Sequence, residues 1–121
     1  MDDRELLEMA AKAAGLTINK PKQRERDEAG FGHMGLWTMT TTNWNPLTDD
    51  GDALRLAVKL GICIEFLPDA VRCKVPGIEW IGETCLPCDM EYLGVAHRRA
   101  IVRAAAEIGR AAQQSKEEDK P

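Results

Sequence analysis

Cys85 and Cys88 are the residues of this chain whose type and spacing come nearest to a reactive site. When a Cys-x-x-Cys pair lies just before a helix, the helix dipole lowers the pKa of a thiol, and the pair can then carry out thiol–disulfide exchange. The strands predicted ahead of the pair form an antiparallel meander, whereas that redox motif is expected beside a βαβ unit. Thiol-redox chemistry is therefore kept as a remote alternative.

Zinc binding is the second use open to the same two thiols. His97 adds a third possible ligand, so the candidate metal ligands are Cys85, Cys88 and His97. Structural zinc sites usually need four ligands in two matched pairs, and this sequence contains no second Cys-x-x-Cys. The remaining thiols, Cys63 and Cys73, are predicted on opposite faces of a sheet, which disfavours a shared metal or a disulfide. We expect no cofactor, with zinc as the remote alternative.

A stripe of arginines on the last predicted helix is the candidate partner-binding surface. It comprises Arg98, Arg99, Arg103 and Arg110. Such a stripe could contact nucleic acid or an acidic protein. The chain as a whole has a net charge of −4 and a pI of about 5.2, and Glu107 can pair with Arg103 at helical spacing. We therefore favour a solvated face, so nucleic acid is a possible but not a favoured partner.

The composition predicts one small globular domain. The chain has 121 residues, of which 44% are hydrophobic and 30% charged, as in ordinary folded proteins. We expect a single domain over residues 1–114 and a disordered charged tail over residues 115–121. No apolar run approaches the roughly 18 residues that cross a bilayer, and the charged N-terminus does not resemble a secretory signal. We expect a cytoplasmic protein with no membrane contact and free thiols.

Helices and strands are predicted from capping residues and apolar spacing. The predicted segments are a helix over 2–14, a short strand over 16–19, a charged connector over 20–30, a strand over 36–42, a helix from 48 or 49 to 60, and a long helix from 89 or 95 to about 113. In the strand, the two-residue period places Trp37 and Met39 on one face, which we expect to be the core face. The connector holds four cations whose charge is mostly balanced by neighbouring carboxylates. A phosphate-binding loop is therefore disfavoured there.

The segment after Gly61 predicts a three-stranded antiparallel meander. Alternating apolar residues pair Phe66 with Val71 and Ile64 with Cys73, and the same register sets Glu65 against Arg72. A second reversal at Pro76-Gly77 would place Cys73 opposite Trp80. Together these elements predict an α+β protein with three helices packed on a mainly antiparallel sheet of about four to five strands.

Three blocks of the sequence resemble the phage ABA sandwich domain family, a group of small uncharacterised bacteriophage and prophage proteins. The blocks are residues 4–15, 44–58 and 98–109. The resemblance implies helices packed about a central sheet, an α/β/α sandwich, and an origin in a phage or an integrated prophage. It carries no catalytic residue to this chain, because the family has no established activity.

These observations favour a non-enzymatic phage or prophage accessory protein that binds a host or phage macromolecule in the bacterial cytoplasm. The alternative is a nucleic-acid-binding protein that uses the arginine-rich helix. The remote alternative is a zinc or thiol-redox protein built on Cys85 and Cys88. The residues indicate neither the partner nor the oligomeric state.

Overall fold

The chain folds as an α+β protein in a computed structural model that describes residues 2–39, 43–68, 70–75, 77, 80–84 and 90–118. The helices in these ranges are α1 (Asp3–Ala13), α2 (Lys20–Glu28), α3 (Asp50–Leu60) and α4 (Met90–Glu118), with a 3-10 turn at Gly32–Met34. The strands are β1 (Leu36–Trp37), β2 (Asn43–Trp44), β3 (Cys63–Leu67), β4 (Ala70–Lys74) and β5 (Ile81–Thr84). They form an antiparallel β1–β2 pair and an antiparallel β3–β4–β5 sheet.

Acidic side chains cap the two helices whose starts the sequence predicted best. At α1, Asp2 accepts a hydrogen bond from the Glu5 amide at 2.8 Å. At α3, Asp49 accepts from the Asp52 amide at 2.7 Å, and Gly61 ends the helix in the left-handed conformation at φ 67°. Each cap satisfies an amide that the first turn leaves without a helical partner, so both predicted helix starts are confirmed.

The charged segment predicted as a connector is a helix, α2, so the prediction of three helices is wrong in number. Asn19 caps α2 by accepting from the Lys22 amide at 3.2 Å. Gln23 is the buried residue of the helix. Its Oε1 accepts from the Trp37 amide at 2.7 Å, and its Nε2 donates to Asp27 at 3.0 Å. A polar anchor therefore holds α2, which explains why the sequence shows no apolar period there.

Helix α4 occupies the centre of the molecule. It packs against α1, against α3 and against strands β4 and β5. Its buried residues lie around the whole circumference rather than along one stripe: Ala96, Ala100, Ile101, Val102, Ala104, Ala105 and Ala106. The predicted α/β/α order, with one sheet of four to five strands in the middle, therefore differs from the structure. Helix α4 lies between α1 and a three-stranded sheet, and β1 and β2 pair separately.

Helices α1 and α4 approach closely because small residues line their contact. Ala10 and Ala11 of α1 are buried, and Gly109 of α4 lies against the α1 backbone. A Cβ built on Gly109 would overlap the Met9 carbonyl oxygen and would stand 3.0 Å from the Met9 carbonyl carbon. The two backbones therefore approach to a distance that leaves no room for a side chain at residue 109.

The first hairpin of the meander has the predicted register. Strands β3 and β4 pair Glu65 with Arg72, Ile64 with Cys73 and Phe66 with Val71. Phe66 was predicted on the apolar side but is 61% exposed. Helix α4 packs mainly on β4 and β5, so on the edge strand β3 the Phe66 ring meets α4 at His97 but stays mostly exposed.

The second hairpin differs from the prediction by one residue. Cys73 pairs with Ile81, not with Trp80. A Pro-Gly type II turn matches hairpin twist poorly, and the connection from Val75 to Trp80 is longer than the predicted two residues. The shift moves Trp80 to the face opposite α4, where its ring centroid lies 4.2 Å from the Arg72 guanidinium carbon.

The inward and outward faces of the β1 segment are the reverse of those predicted. Leu36 and Thr38 are buried, whereas Met39 is 61% exposed. The Trp37 ring instead lies under α2, with Lys22 Nζ 5.4 Å and Arg26 Cζ 5.0 Å from its centroid. The prediction failed because it did not include the helix that covers this ring.

Helix α4 continues to Glu118, past the predicted end at residue 113. The predicted disordered tail over 115–121 therefore overlaps the last helical turn, and residues 119–121 lie outside the described residues. The domain boundary stays a prediction. None of the helices in the described ranges combines the length and apolar character needed to cross a bilayer.

Candidate binding surfaces

Cys85 and Cys88 lie outside the described residues, so the zinc and thiol-redox hypotheses stay predictions. Of the described thiols, Cys63 is exposed and Cys73 is buried, as expected for adjacent positions on opposite faces. Burial raises the pKa of Cys73 to about 11, which keeps this thiol protonated and unreactive at neutral pH. The described part of the chain contains no group of three or more His, Cys, Asp or Glu residues placed to hold a metal ion.

His97 lies where α3, α4 and β3 meet. Its Nε2 is 3.5 Å from Asp50 Oδ1. Its ring packs edge-to-face on Phe66, with the centroids 6.1 Å apart. Contacts of this kind, between an aromatic ring, an imidazole and a carboxylate in the first turn of α3, fit a packing residue at a junction of elements.

Arg98 is bound inside the fold. Its Nε donates to the Leu47 carbonyl at 2.9 Å and its Nη1 to Asp50 at 2.7 Å. The side chain is 17% exposed. Arg98 thus fastens α4 to the first turn of α3, and the bound Arg98 holds the pKa of the Asp50 carboxyl below its usual value.

The other three arginines of the predicted stripe also have acceptors within the chain. Arg99 donates to Asp3 at 2.9 Å, Arg103 to the Gly82 carbonyl at 2.9 Å, and Arg110 to Glu107 at 2.7 Å. Arg98, Arg99 and Arg103 therefore reach three other parts of the fold, whereas Arg110 pairs with Glu107 on α4 itself. The structure does not bring them together as one free basic surface.

The segment 44–50 is a structural junction. Asn45 is 5% exposed, and all its polar groups face the fold. Its Nδ2 donates to the Met34 carbonyl at 3.1 Å, its Oδ1 accepts from the Leu47 amide at 3.1 Å, and its backbone N–H donates to Asp52 at 2.9 Å. With Arg98 on the Leu47 carbonyl, these bonds join β2, α3 and α4. The segment thus has a complete structural explanation.

A groove between α1 and α2 is a candidate ligand-binding surface in the described part of the chain. Its floor is the extended segment 16–19 that connects the two helices. Two adjoining cavities of about 580 Å³ and about 370 Å³ share Ile18. Met9, Leu16 and Ile18 are partly buried apolar residues in its lining. We call this surface the α1–α2 groove.

The floor of the α1–α2 groove is the free edge of a strand. Ile18 and Thr38 form an antiparallel bridge, whose hydrogen bonds run from the Asn19 amide to the Trp37 carbonyl at 2.9 Å and from the Met39 amide to the Thr17 carbonyl at 2.8 Å. In this pattern, the N–H and C=O of Ile18 itself point away from β1. Within the described ranges neither group has a hydrogen-bond partner.

The α1–α2 groove is positively charged although the whole chain is acidic. Its charged lining residues are Arg4, Glu8, Lys12, Lys20, Arg24 and Asp27. Four cations against two carboxylates give a net charge of +2 there, compared with −4 for the chain.

Arg4 forms ion pairs with both carboxylates of the groove. It contacts Glu8 at 2.9 Å and Asp27 at 3.0 Å, and its guanidinium holds the pKa of Asp27 below its usual value. Lys20 and Arg24 form no ion pair with any described residue. These two cations lie one helical turn apart on α2, so they are available to a ligand.

The outer face of the β3–β5 sheet is a second exposed surface. Trp80 is 38% exposed and lies under Arg72 and Lys74, at 4.2 Å and 5.5 Å from its ring centroid. Arg72 is also bound to Glu65 at 2.9 Å. The charges on this face are thus partly compensated.

Comparison with known proteins gives no relative: no family model, no curated protein and no solved structure matches this chain. The family resemblance of the three sequence blocks therefore stays an expectation. The sequence interpretation missed the α1–α2 groove. Its signal is present in Lys20 and Arg24, two of the four cations of the predicted connector, whose charge is balanced by carboxylates when it is counted along the sequence.

Proposed function

We propose that this chain is a non-enzymatic binding module for a host or phage protein, acting as a phage or prophage accessory protein in the bacterial cytoplasm. The observation that carries the binding role is the α1–α2 groove, which combines an apolar floor, an unpaired strand edge and uncompensated cations. The phage origin rests on the resemblance of residues 4–15, 44–58 and 98–109.

A protein partner is favoured over nucleic acid because the arginines of α4 are bound to acceptors within the chain. Proteins that grip a phosphate backbone need several free cations on one surface. Arg98 is largely buried and bound to two acceptors, and its neighbours on α4 donate to separate elements. The net charge of −4 also opposes approach to a polyanion. The nucleic-acid alternative thus has less support than binding through the groove.

Affinity capture from a bacterial host lysate tests the proposed function. The tagged full chain is immobilised, and lysates with and without nuclease treatment and with and without prophage induction are passed over it. We expect one or a few proteins to be retained at stoichiometric levels, with no change after nuclease treatment. Retention of nucleic acid alone, or of nothing in any of the lysates, would overturn the proposal, as would substrate turnover in an enzyme screen.

Two charge-reversal variants show which surface is responsible. Lys20→Glu with Arg24→Glu reverses the free cations of the groove, and Lys59→Glu with Lys74→Glu makes the same charge change at exposed positions elsewhere. Loss of the partner in the first variant alone places binding in the groove. Loss in the second variant alone moves the site away from the groove while leaving a binding function intact.

A further inference from the structure

We infer that the α1–α2 groove binds an extended acidic segment of the partner protein as an added strand on the free edge at Ile18. The inference rests on the proposed function, because it names the surface and the partner chemistry of the same binding role. It assigns three kinds of contact to one ligand: main-chain hydrogen bonds, an apolar floor and ion pairs at the rim.

The strand edge supplies the main-chain contacts. Ile18 offers one N–H and one C=O directed away from β1, and an incoming extended chain can satisfy both by continuing the antiparallel or parallel pattern. None of the described β1 residues lines the groove, so the edge and the groove are on the same side of the segment. The edge is short, because Gly15 precedes it at φ 72° and Asn19 caps α2.

The lining supplies the side-chain preference. Side chains of an extended peptide alternate between two faces, so one set would pack on Met9, Leu16 and Ile18 while the other faces the rim. Lys20 and Arg24 at that rim have no ion pair within the described residues, whereas Glu8 and Asp27 are both occupied by Arg4. The groove thus complements a segment that alternates carboxylate and aliphatic side chains.

The same features disfavour a bare phosphate or a nucleic acid strand in the groove. A polyanion gains nothing from the aliphatic floor, and it has no alternating N–H and C=O groups to pair with Ile18. Charge complementarity alone would accept any anion, but the strand edge accepts a polypeptide.

Fluorescence anisotropy with synthetic peptides tests this inference directly. The probe is a fluorescein-labelled hexapeptide that alternates glutamate and valine, added to the full chain at low salt. A hexapeptide that alternates lysine and valine controls for charge. A glutamate–valine hexapeptide N-methylated on alternate amides controls for strand pairing, because it keeps every charge and side chain but loses main-chain donors. We expect binding of the first peptide and at least about tenfold weaker binding of both others.

The variants locate the bound peptide. Lys20→Glu with Arg24→Glu is expected to weaken binding at least about tenfold, and Lys59→Glu with Lys74→Glu to change it less than about twofold. A negative charge at Lys20 lies in the first turn of α2, where the helix dipole favours it, and circular dichroism checks that the helices remain. If the groove variant unfolds, the N-methylated peptide still decides between strand pairing and charge alone.

Three outcomes would overturn the inference. They are absence of binding by the glutamate–valine peptide, equal binding by its N-methylated form, and equal loss in both charge-reversal variants. A protein captured from lysate equally well by the wild type and by the groove variant would end this inference but leave the proposed function standing. If no protein is captured but the glutamate–valine peptide binds tightly, the proposed function fails while the peptide-binding site in the groove stands.

Discussion

Substitution of Gly109 by alanine tests the close contact between α1 and α4. Alanine is the better helix former by about 1 kcal/mol in a solvent-exposed helix, so on an exposed surface the substitution would stabilise the protein. In the structure the added Cβ would overlap the Met9 carbonyl oxygen and lie 3.5 Å from the Ala13 amide nitrogen. These are backbone atoms, which cannot move aside as the end of a side chain can.

The expected effect is the difference between these two terms. Because the overlap is with backbone atoms, we take the upper part of the cost of forcing a methyl group into a packed contact, about 2–3 kcal/mol, and the gain in helix propensity returns about 1 kcal/mol. We expect Gly109→Ala to lower the free energy of unfolding by about 1–2 kcal/mol. For a domain of this size that corresponds to a fall in Tm of roughly 4–8 °C.

Urea unfolding followed by far-UV circular dichroism measures the change, with Gly51→Ala as the matched control. At Gly51, in the first turn of α3, an added Cβ would meet the Arg55 guanidinium nitrogens at 3.2 Å and the Asp49 Oδ2 at 3.2 Å, which are side-chain atoms. This control should be unchanged or slightly more stable. A Gly109→Ala protein as stable as the wild type, or more stable, would refute the close approach of α1 and α4.

Three further perturbations test other parts of the structure. Arg98→Met removes the hydrogen bonds to Leu47 and Asp50, and should cost about 1–3 kcal/mol in urea unfolding; an unchanged midpoint would contradict the buried role of Arg98. In peptide mapping after iodoacetamide treatment at pH 8, Cys63 should be alkylated well before Cys73, whose pKa is about 11, and equal rates would disprove the burial. Arg4 holds the pKa of Asp27 below its usual value. The Arg4–Asp27 pair therefore stabilises the folded protein above about pH 4, and this contribution is lost as the pH falls through the folded-state pKa of Asp27. Asp27→Asn should therefore flatten the fall in Tm as the pH drops below about 4, and an unaltered slope would contradict the pairing.

Elements with local signals could be predicted from the sequence. Asp49 and Gly61 mark the two ends of α3 through capping and left-handed geometry, which depend on a few neighbouring residues. The register of the first hairpin could also be predicted, since a one-residue slip would turn Ile64 away from the core. The second hairpin was not, because the length of its loop depends on where Trp80 finds a partner, and Arg72 provides it on the other face.

Elements stabilised by distant contacts could not be predicted in this way. Helix α2 is held by Gln23, whose partner Trp37 is 14 residues away in sequence. The sequence of α2 therefore has no apolar periodicity from which the helix could be predicted. The central position of α4 depends on α1 and the sheet lying on different sides of it. Its alanines indicate close packing without indicating how many elements pack.

The groove was hidden for the same reason. Its cations stand beside carboxylates in sequence, but in the structure Asp27 turns to Arg4 and leaves Lys20 and Arg24 uncompensated. The unpaired edge at Ile18 arises from a bridge to Thr38, which no local pattern specifies. Charge counted along the sequence therefore underestimated the charge that the fold presents.

The most direct measurement of the central claim is a two-dimensional ¹⁵N–¹H titration of the full chain with the glutamate–valine hexapeptide. The account predicts that the largest amide shifts fall on Ile18 and its neighbours in the segment 16–20, and that the Ile18 amide moves downfield as it gains a carbonyl acceptor. Shifts confined to the face around Trp80, shifts confined to residues 98–110, or no shifts at saturating peptide would contradict it.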